Sequence, residues 1–309
     1  MAARTVLFLN NPVASHLKLL ARLPDETRIV VGERAEAFAE AAPDADILVI
    51  GAVPRALAEE VWTMAPRLQW VHSMAAGLDT VLFPALVASE LPLTNSRAVF
   101  ARSLGEFALA GMLWFAKGMD RMRRQQKAGV WQKFDVQELH GKVLGVVGHG
   151  SIGRAAASLA MDFGMDVLGV GHKHAREELE HLLRASDYLL AAAPLTEQTR
   201  GMLGETELRL MKPSAILLNL GRGPVIVEQA LIRALNEGWI RGAVLDVYDV
   251  EPLPAGHPFW AMDNVFMSPH CADNTETWME DAMELFLDNF ARFDAGEQLR
   301  NVVDKEKGY

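Results

Sequence analysis

The sequence predicts an α/β protein made of two doubly wound parallel sheets, the second domain inserted into the first. Three observations predict it. Short apolar runs alternate with helical patterns from end to end, as expected where crossover helices feed a parallel sheet. The series of runs restarts at Lys142 after a long helical stretch. The last helical segment, from about Thr275 to Phe293, is long enough to return to the first domain. The expected division is residues 1–97 with 276–309 for one domain and 98–275 for the other. A chain of 309 residues suffices for two separate cores.

The first series of strands is expected at Val6–Leu9, Arg28–Val31, Ile47–Ile50, Trp70–His72 and Leu91–Thr94. One continuous helix is expected from about Ala98 to Gly129. Its face through Leu104, Ala108, Met112 and Phe115 reads as core or as an intersubunit surface. The Arg121, Arg123, Arg124 and Lys127 cluster at its end reads as a solvated or subunit-facing surface. The second series is Val143–Val147, Val167–Val170, Tyr188–Ala191, Ala215–Asn219, Ala243–Leu245 and Val265–Met267.

Composition excludes several classes of function. A net charge of −10 argues against nucleic acid or an anionic membrane as a main partner, because phosphates repel such a surface. The single cysteine, Cys271, excludes an intramolecular disulfide framework and fits a reducing compartment. Its expected state is a small buried side chain. No apolar run is long enough to span a bilayer. The N-terminus lacks the apolar core of a signal peptide and reads as a first strand, so a cytoplasmic location is expected.

The most informative stretch runs from Lys142 to Gly153. A buried strand leads into Gly148-His149-Gly150-Ser151-Ile152-Gly153, and a helix opens behind it. In that context Gly-x-Gly-x-x-Gly is a Rossmann-type dinucleotide fingerprint. Gly148 permits the tight turn, Gly150 lets the backbone approach a pyrophosphate, and Gly153 lets helix and strand pack closely. The amides of Ser151 and Ile152 lie at the helix start, whose dipole favours phosphate. An acid is wanted about 20 residues further on if the ribose hydroxyl is to be bound. That count reaches Gly171, His172 and Lys173. Glycine leaves room and the basic pair suits a 2′-phosphate, so NADP(H) is the preferred cofactor and NAD(H) a possible one. His172, His174 and His181 could suggest a metal, but they give no convincing third ligand and a lysine sits among them.

Ligands of an open parallel sheet bind at the carboxyl ends of its strands. In the second series those ends carry Pro194-Leu195-Thr196, Gly221-Arg222-Gly223, Asp246, Glu251-Pro252 and Ser268-Pro269-His270. An arginine, two acids and a histidine beside a dinucleotide suit hydride transfer with acid–base help. Each residue has a bland alternative: a turn arginine, a loop acid, a satisfied core histidine. Trp260 reads as core packing rather than as a pocket wall.

These motifs, with Pro194-Leu195-Thr196-Glu197-Gln198-Thr199, Asn219-Leu220-Gly221-Arg222-Gly223 and Leu245-Asp246-Val247-Tyr248-Asp249-Val250-Glu251-Pro252, resemble the D-isomer-specific 2-hydroxyacid dehydrogenases from end to end. The resemblance implies a flavodoxin-like substrate domain around the Rossmann-type one. It implies that Arg222, Glu251 and His270 are catalytic and that Asp246 lies near the nicotinamide carboxamide. Pro194 and Thr199 would line the cofactor site. Ala76 and Gly77, in Ser73-Met74-Ala75-Ala76-Gly77, would offer backbone N–H groups to the substrate. The expected activity is NADPH-dependent reduction of a small 2-keto acid, as in the glyoxylate/hydroxypyruvate reductase branch, by a homodimer. The alternative from another class is a dinucleotide-sensing corepressor of the same fold. A guanidinium fork suits a keto acid's carboxylate, and the Glu251 carboxylate would favour the His270 cation.

Overall fold

The computed structural model describes residues 3–171 and 173–308. The chain divides into two compact units, Met1–Phe100 with Glu276–Tyr309, and Ala101–Thr275. Both chain ends belong to the first unit, so the second is an insertion in it.

In the first unit the strands are β1 (Thr5–Leu9), β2 (Arg28–Gly32), β3 (Ile47–Ile50), β4 (Trp70–Ser73) and β5 (Leu93–Asn95). All pair in parallel, in the order β2-β1-β3-β4-β5. This is the flavodoxin-like order. Val6, Leu7, Phe8 and Leu9 are wholly buried, as a strand covered on both faces requires. Helices α1 (Arg55–Met64) and α2 (Pro84–Ala88) and several 3₁₀ turns supply the crossovers. The C-terminal helix, Trp278–Asp294, buries Ala282, Met283, Phe286 and Phe290, and Phe286 stacks on Trp70 with ring centroids 5.6 Å apart.

The second unit opens with α3 (Ala101–Lys117) and α4 (Met119–Ala128). The expected single helix is therefore broken, and the reason is Gly118, which takes the left-handed conformation at φ 61°. Only glycine visits that region without strain, and one such residue stops the helical hydrogen-bond ladder. Leu104, Ala108, Met112 and Phe115 are buried within the chain, which settles their face as core.

Next come β6 (Val143–Val147), α5 (Ser151–Asp162), β7 (Asp166–Val170), α6 (Arg176–Ala185), β8 (Tyr188–Ala191), α7 (Glu205–Leu210), β9 (Ile216–Asn219), α8 (Glu228–Asn236), β10 (Gly242–Leu245) and β11 (Val265–Met267). The parallel sheet has the order β7-β6-β8-β9-β10-β11. The chain goes from β6 outward to β7 and returns to the other side of β6, where β8 pairs with it. That reversal leaves a crevice beyond the carboxyl ends of β6 and β8, where such folds take ligands. The helix that closes the chain, Trp278–Asp294, is α9. Among the described residues no helix is long and apolar enough to cross a membrane.

Candidate active site

The fingerprint occupies the β6–α5 junction. Gly148 has φ 94°, and a side chain there would press within 2.5 Å of the Ala193 nitrogen. The residue must be glycine for both reasons. A side chain on Gly153 would meet the Gly148 carbonyl oxygen at 2.5 Å, so this glycine brings helix against strand. Gly150 differs: a side chain would meet nothing within 4 Å. It is the N-cap of α5, ahead of Ser151, Ile152 and Gly153, whose amides have no intrahelical acceptor. An open approach over free amides and a positive helix end fits a pyrophosphate.

The neighbouring strand ends close around this turn. Gly148 donates to the Val170 carbonyl at 3.0 Å and Ala192 to that of Val147 at 2.8 Å. Beyond Pro194, the Thr199 hydroxyl donates to the Pro194 carbonyl at 2.6 Å and accepts from the Thr196 amide at 2.8 Å. Pro194 and Thr199 thus form one braced turn beside the fingerprint. After β7, Lys173 is exposed, and with Gly171, His174 and His181 it lines a groove of about 440 Å³. The His174 ring caps the Gly171 carbonyl at 2.6 Å. His172 lies outside the described residues. His149, inside the fingerprint, has its ring beside Gly169 of β7.

The acid–base groups sit at the far strands. His270 Nδ1 lies 2.6 Å from Glu251 Oε2, and Glu251 Oε1 accepts the Tyr248 amide at 2.9 Å. Both carboxylate oxygens are thereby engaged. His270 has φ 52°, a costly conformation for a residue with a side chain. The loop around it shows what holds it there. Buried Asp246 accepts the amides of Cys271 and Ala272 on one oxygen, at 3.0 and 3.1 Å. Ser103 of α3 donates to the Ala272 carbonyl at 2.7 Å. The buried Tyr248 hydroxyl donates toward the carbonyls of Leu245 and Ser268, and desolvation pushes it up to about 12.

Arg222 follows β9 in extended conformation, half-buried, with Nη1 donating to the Gly221 carbonyl at 2.8 Å. Asn219 fixes that turn, donating to the Arg222 carbonyl at 3.1 Å and accepting the Gly221 amide at 3.2 Å. One carboxyl senses the whole cluster. Asp273 is held above the ordinary carboxylate range by burial first and by Asp246 next, while His270 and Arg222 pull it back down. Arg222, Asp246, His270 and Asp273 therefore share one electrostatic neighbourhood. No sequence motif marks Asp273, since the Ser268-Pro269-His270 motif ends three residues before it.

Two sequence expectations are corrected. Cys271 is exposed, not buried: its amide is tied to Asp246 and its sulfur lies 3.3 Å from the Ser268 hydroxyl, in a loop at the protein surface. Trp260 is also exposed, its indole nitrogen donating to the Pro254 carbonyl at 3.0 Å; Phe259 takes the core position beside it. Ala76 and Gly77 lie in the first unit, in the loop that follows β4.

A fingerprint at a switch point, with arginine, acid and histidine on the same sheet edge, defines a dinucleotide-binding α/β protein equipped for acid–base chemistry. Residues 109–272 match the family described as D-isomer specific 2-hydroxyacid dehydrogenase, NAD binding domain. The glyoxylate reductase of Aeropyrum pernix is 36% identical over 267 residues, 80% of this chain and 79% of that protein. That of Thermococcus gammatolerans is 35% identical over 290 residues, 88% of this chain and 86% of that one. Among solved structures, a D-isomer specific 2-hydroxyacid dehydrogenase from Xanthobacter autotrophicus in complex with NADPH and MES is similar at TM-score 0.86 and 30% identity, with full coverage of both chains. So is an NADPH-dependent glyoxylate/hydroxypyruvate reductase from Sinorhizobium meliloti in complex with NADP and sulfate, at TM-score 0.86, 25% identity and full coverage of both. The chain belongs to the D-isomer specific 2-hydroxyacid dehydrogenase family.

Proposed function

We propose that this protein reduces a small 2-keto acid, of the glyoxylate or hydroxypyruvate type, to the D-2-hydroxy acid, with NADPH as preferred reductant. The observation that carries the reading is the 2.6 Å pairing of His270 with Glu251 on the sheet edge that also holds the fingerprint. The names of the relatives favour the small keto acid, and the two NADP-type complexes favour the cofactor. In this reading residues 98–275 bind the dinucleotide, and residues 1–97 with 276–309 form the substrate domain.

Gly148, Gly150, Ser151, Ile152 and Gly153 would hold the pyrophosphate; His172 and Lys173 would meet the 2′-phosphate; Pro194, Thr199 and Asp246 would line the rest. When bound, the nicotinamide supplies the hydride. Everything else falls to side chains. Arg222 would hold the substrate carboxylate and polarise the adjacent carbonyl with its planar fork. Because Nδ1 of His270 faces a carboxylate, the proton to be given away sits on Nε2. Once it is donated, the Nδ1–H tautomer remains, and its bare Nε2 is the base for the reverse reaction. The amides of Ala76 and Gly77 would bind the substrate from the first domain.

The working form is proposed to be a cytoplasmic homodimer. Met119, Met122, Val130 and Trp131 are exposed on and just beyond α4, beside Arg121, Arg123 and Arg124, and a second copy would cover them. The test of the function is a panel of glyoxylate, hydroxypyruvate, pyruvate and bulkier keto acids, each with NADPH and NADH. Rapid NADPH oxidation with the two small acids, giving the D product where the product is chiral, supports the reading. Cofactor binding without turnover of any acid contradicts it and favours a dinucleotide-sensing role.

A further inference from the structure

In the first unit the loop after β4 is built in an unusual sense: its carbonyls point inward and are individually held. Asn95, 3% exposed at the end of β5, donates through Nδ2 to the Ala76 carbonyl at 2.7 Å. The amide of its neighbour Ser96 donates to the Ala75 carbonyl at 3.2 Å. The wholly buried Ser96 hydroxyl donates to the Ser73 carbonyl at 3.3 Å. A trans peptide is planar, with C=O and N–H pointing in opposite directions. The plane holding the Ala75 carbonyl also holds the Ala76 N–H, and the plane holding the Ala76 carbonyl also holds the Gly77 N–H. Fixing those two carbonyls inward turns those two N–H groups outward.

The bracing continues one layer further. Asn95 Oδ1 accepts the Arg97 amide at 3.3 Å, which sets the amide group with its nitrogen toward Ala76. From the C-terminal segment, Asn301 donates through Nδ2 to the carbonyls of Asn95 at 3.1 Å and Arg97 at 2.7 Å. The Asn95 amide returns a bond to the Asn301 carbonyl at 3.3 Å. Asn301 adopts φ 55°, which asparagine tolerates better than most residues with side chains. Val302 bridges to Thr94, and Lys305 donates to the carbonyls of Leu86 and Leu91 at 3.1 and 2.9 Å, so the tail is moored on either side of β5.

We infer that Asn95 is a positioning residue for substrate recognition: it sets the peptide plane that aims the Gly77 N–H at the substrate carboxylate, and Asn301 holds Asn95 in register. The inference rests on the proposed role of Ala76 and Gly77 as substrate donors. A hydrogen bond to the carbonyl of a peptide also polarises it, which makes its N–H a stronger donor. Asn95 acts here through the Ala76 peptide and lies in the first unit, so NADPH binding in the other unit has no reason to respond.

The test compares wild type with Asn95→Leu, which keeps the branching and heavy-atom count but cannot donate, Asn95→Ala, and Asn301→Ala, which leaves the Asn95 side chain in place. The readouts are KM and kcat for glyoxylate with NADPH, the inhibition constant of oxalate as an unreactive carboxylate, and NADPH binding by fluorescence, with thermal unfolding as the check on folding. Losing the aim of one donor to a charged group predicts KM and the oxalate constant up together by roughly 10-fold in the Asn95 variants and by a smaller factor in Asn301→Ala. NADPH affinity should be unchanged and kcat should move far less than KM. A folded Asn95→Leu protein with wild-type KM and oxalate affinity overturns the inference. If neither Asn95 variant folds, wild-type values in Asn301→Ala overturn it. Gly77→Pro, which removes the N–H itself, separates the two levels. Raised constants there with none in Asn95→Leu overturn the positioning role alone, whereas no change in a folded Gly77→Pro protein takes the substrate role of Gly77 down with it.

Discussion

Glu251 holds His270 and its own loop at the same time: one carboxylate oxygen lies 2.6 Å from His270 Nδ1 and the other accepts the Tyr248 amide at 2.9 Å. The orientation of the imidazole is thus tied to the backbone after β10. Asp246 secures the other side, since one of its two carboxylate oxygens takes the two amides that follow His270. A histidine at φ 52° persists because both neighbours hold it there.

Removing that support should therefore cost activity through geometry. Asp246→Ala deletes the acceptor of two part-buried backbone amides, and leaving them unpaired should cost about 1–3 kcal/mol of stability. We expect a lower melting temperature and a kcat reduced by at least about tenfold, since misplacement of a catalytic group is costly. A folded Asp246→Ala enzyme with unchanged kcat would show that the His270 loop needs no such anchor.

Arg222 carries the substrate-binding prediction. Arg222→Ala should lower kcat/KM for glyoxylate by orders of magnitude, several kcal/mol of transition-state stabilisation. Lysine should recover only part, because a point charge lacks the planar fork. Near-normal turnover in a folded alanine variant would remove Arg222 from the site.

The proposed cofactor preference assigns the 2′-phosphate to the basic turn after β7. Each charge-assisted contact with a 2′-phosphate contributes about 1.5–3 kcal/mol, or roughly 10- to 150-fold. Neutral replacement of Lys173, alone and together with His172, should therefore raise KM for NADPH and leave that for NADH nearly constant. A preference for NADH in the wild type, or one for NADPH that survives both changes, would refute the role of this turn.

His72 predicts acid sensitivity. Its Nδ1 lies 2.8 Å from the Thr94 hydroxyl, Nε2 has no partner among the described residues, and burial pushes its pKa down to about 3 from the ordinary 6.5. The folded value lies below the unfolded one, so between these limits the unfolded chain binds more protons. Stability from this residue is complete above about pH 6.5 and is lost as pH falls toward 3, by up to about 1.4 kcal/mol per unit. Chemical unfolding of wild type and His72→Leu at pH 7 and pH 5 should show the gap between them shifting by about 2 kcal/mol in favour of the variant at the lower pH. A gap independent of pH would mean that His72 does not stay neutral on folding.

Much of this fold was legible because its strands are buried on both faces and read as unbroken apolar runs. The runs at Val143–Val147 and Ile47–Ile50 coincide with β6 and β3. The break at Gly118 was not legible, since helix-forming residues continue on both sides of it and its left-handed turn depends on tertiary context. At the site, motif spacing pointed to Glu251 and His270, but it could not show that Asp246 spends its carboxylate on the loop amides. Nor could it show that Cys271 is exposed, or that Asn95 reaches the Ala76 carbonyl 19 residues away in sequence.

The most direct test of the account is the pH dependence of kcat/KM for wild type and Glu251→Gln, in both reaction directions and with cofactor held constant. In the proposed mechanism reduction needs His270 protonated, so its rate should fall as pH rises; oxidation needs the neutral ring and should show the opposite limb. Glu251 holds the ring through Nδ1 at 2.6 Å, and glutamine cannot offset the positive charge of the ring that gives up its proton, so Glu251→Gln should lower kcat/KM in both directions by at least about tenfold. Wild-type limbs that do not oppose each other, or a folded Glu251→Gln enzyme with wild-type rates in both directions, would contradict the claim that the Glu251–His270 pair governs proton delivery.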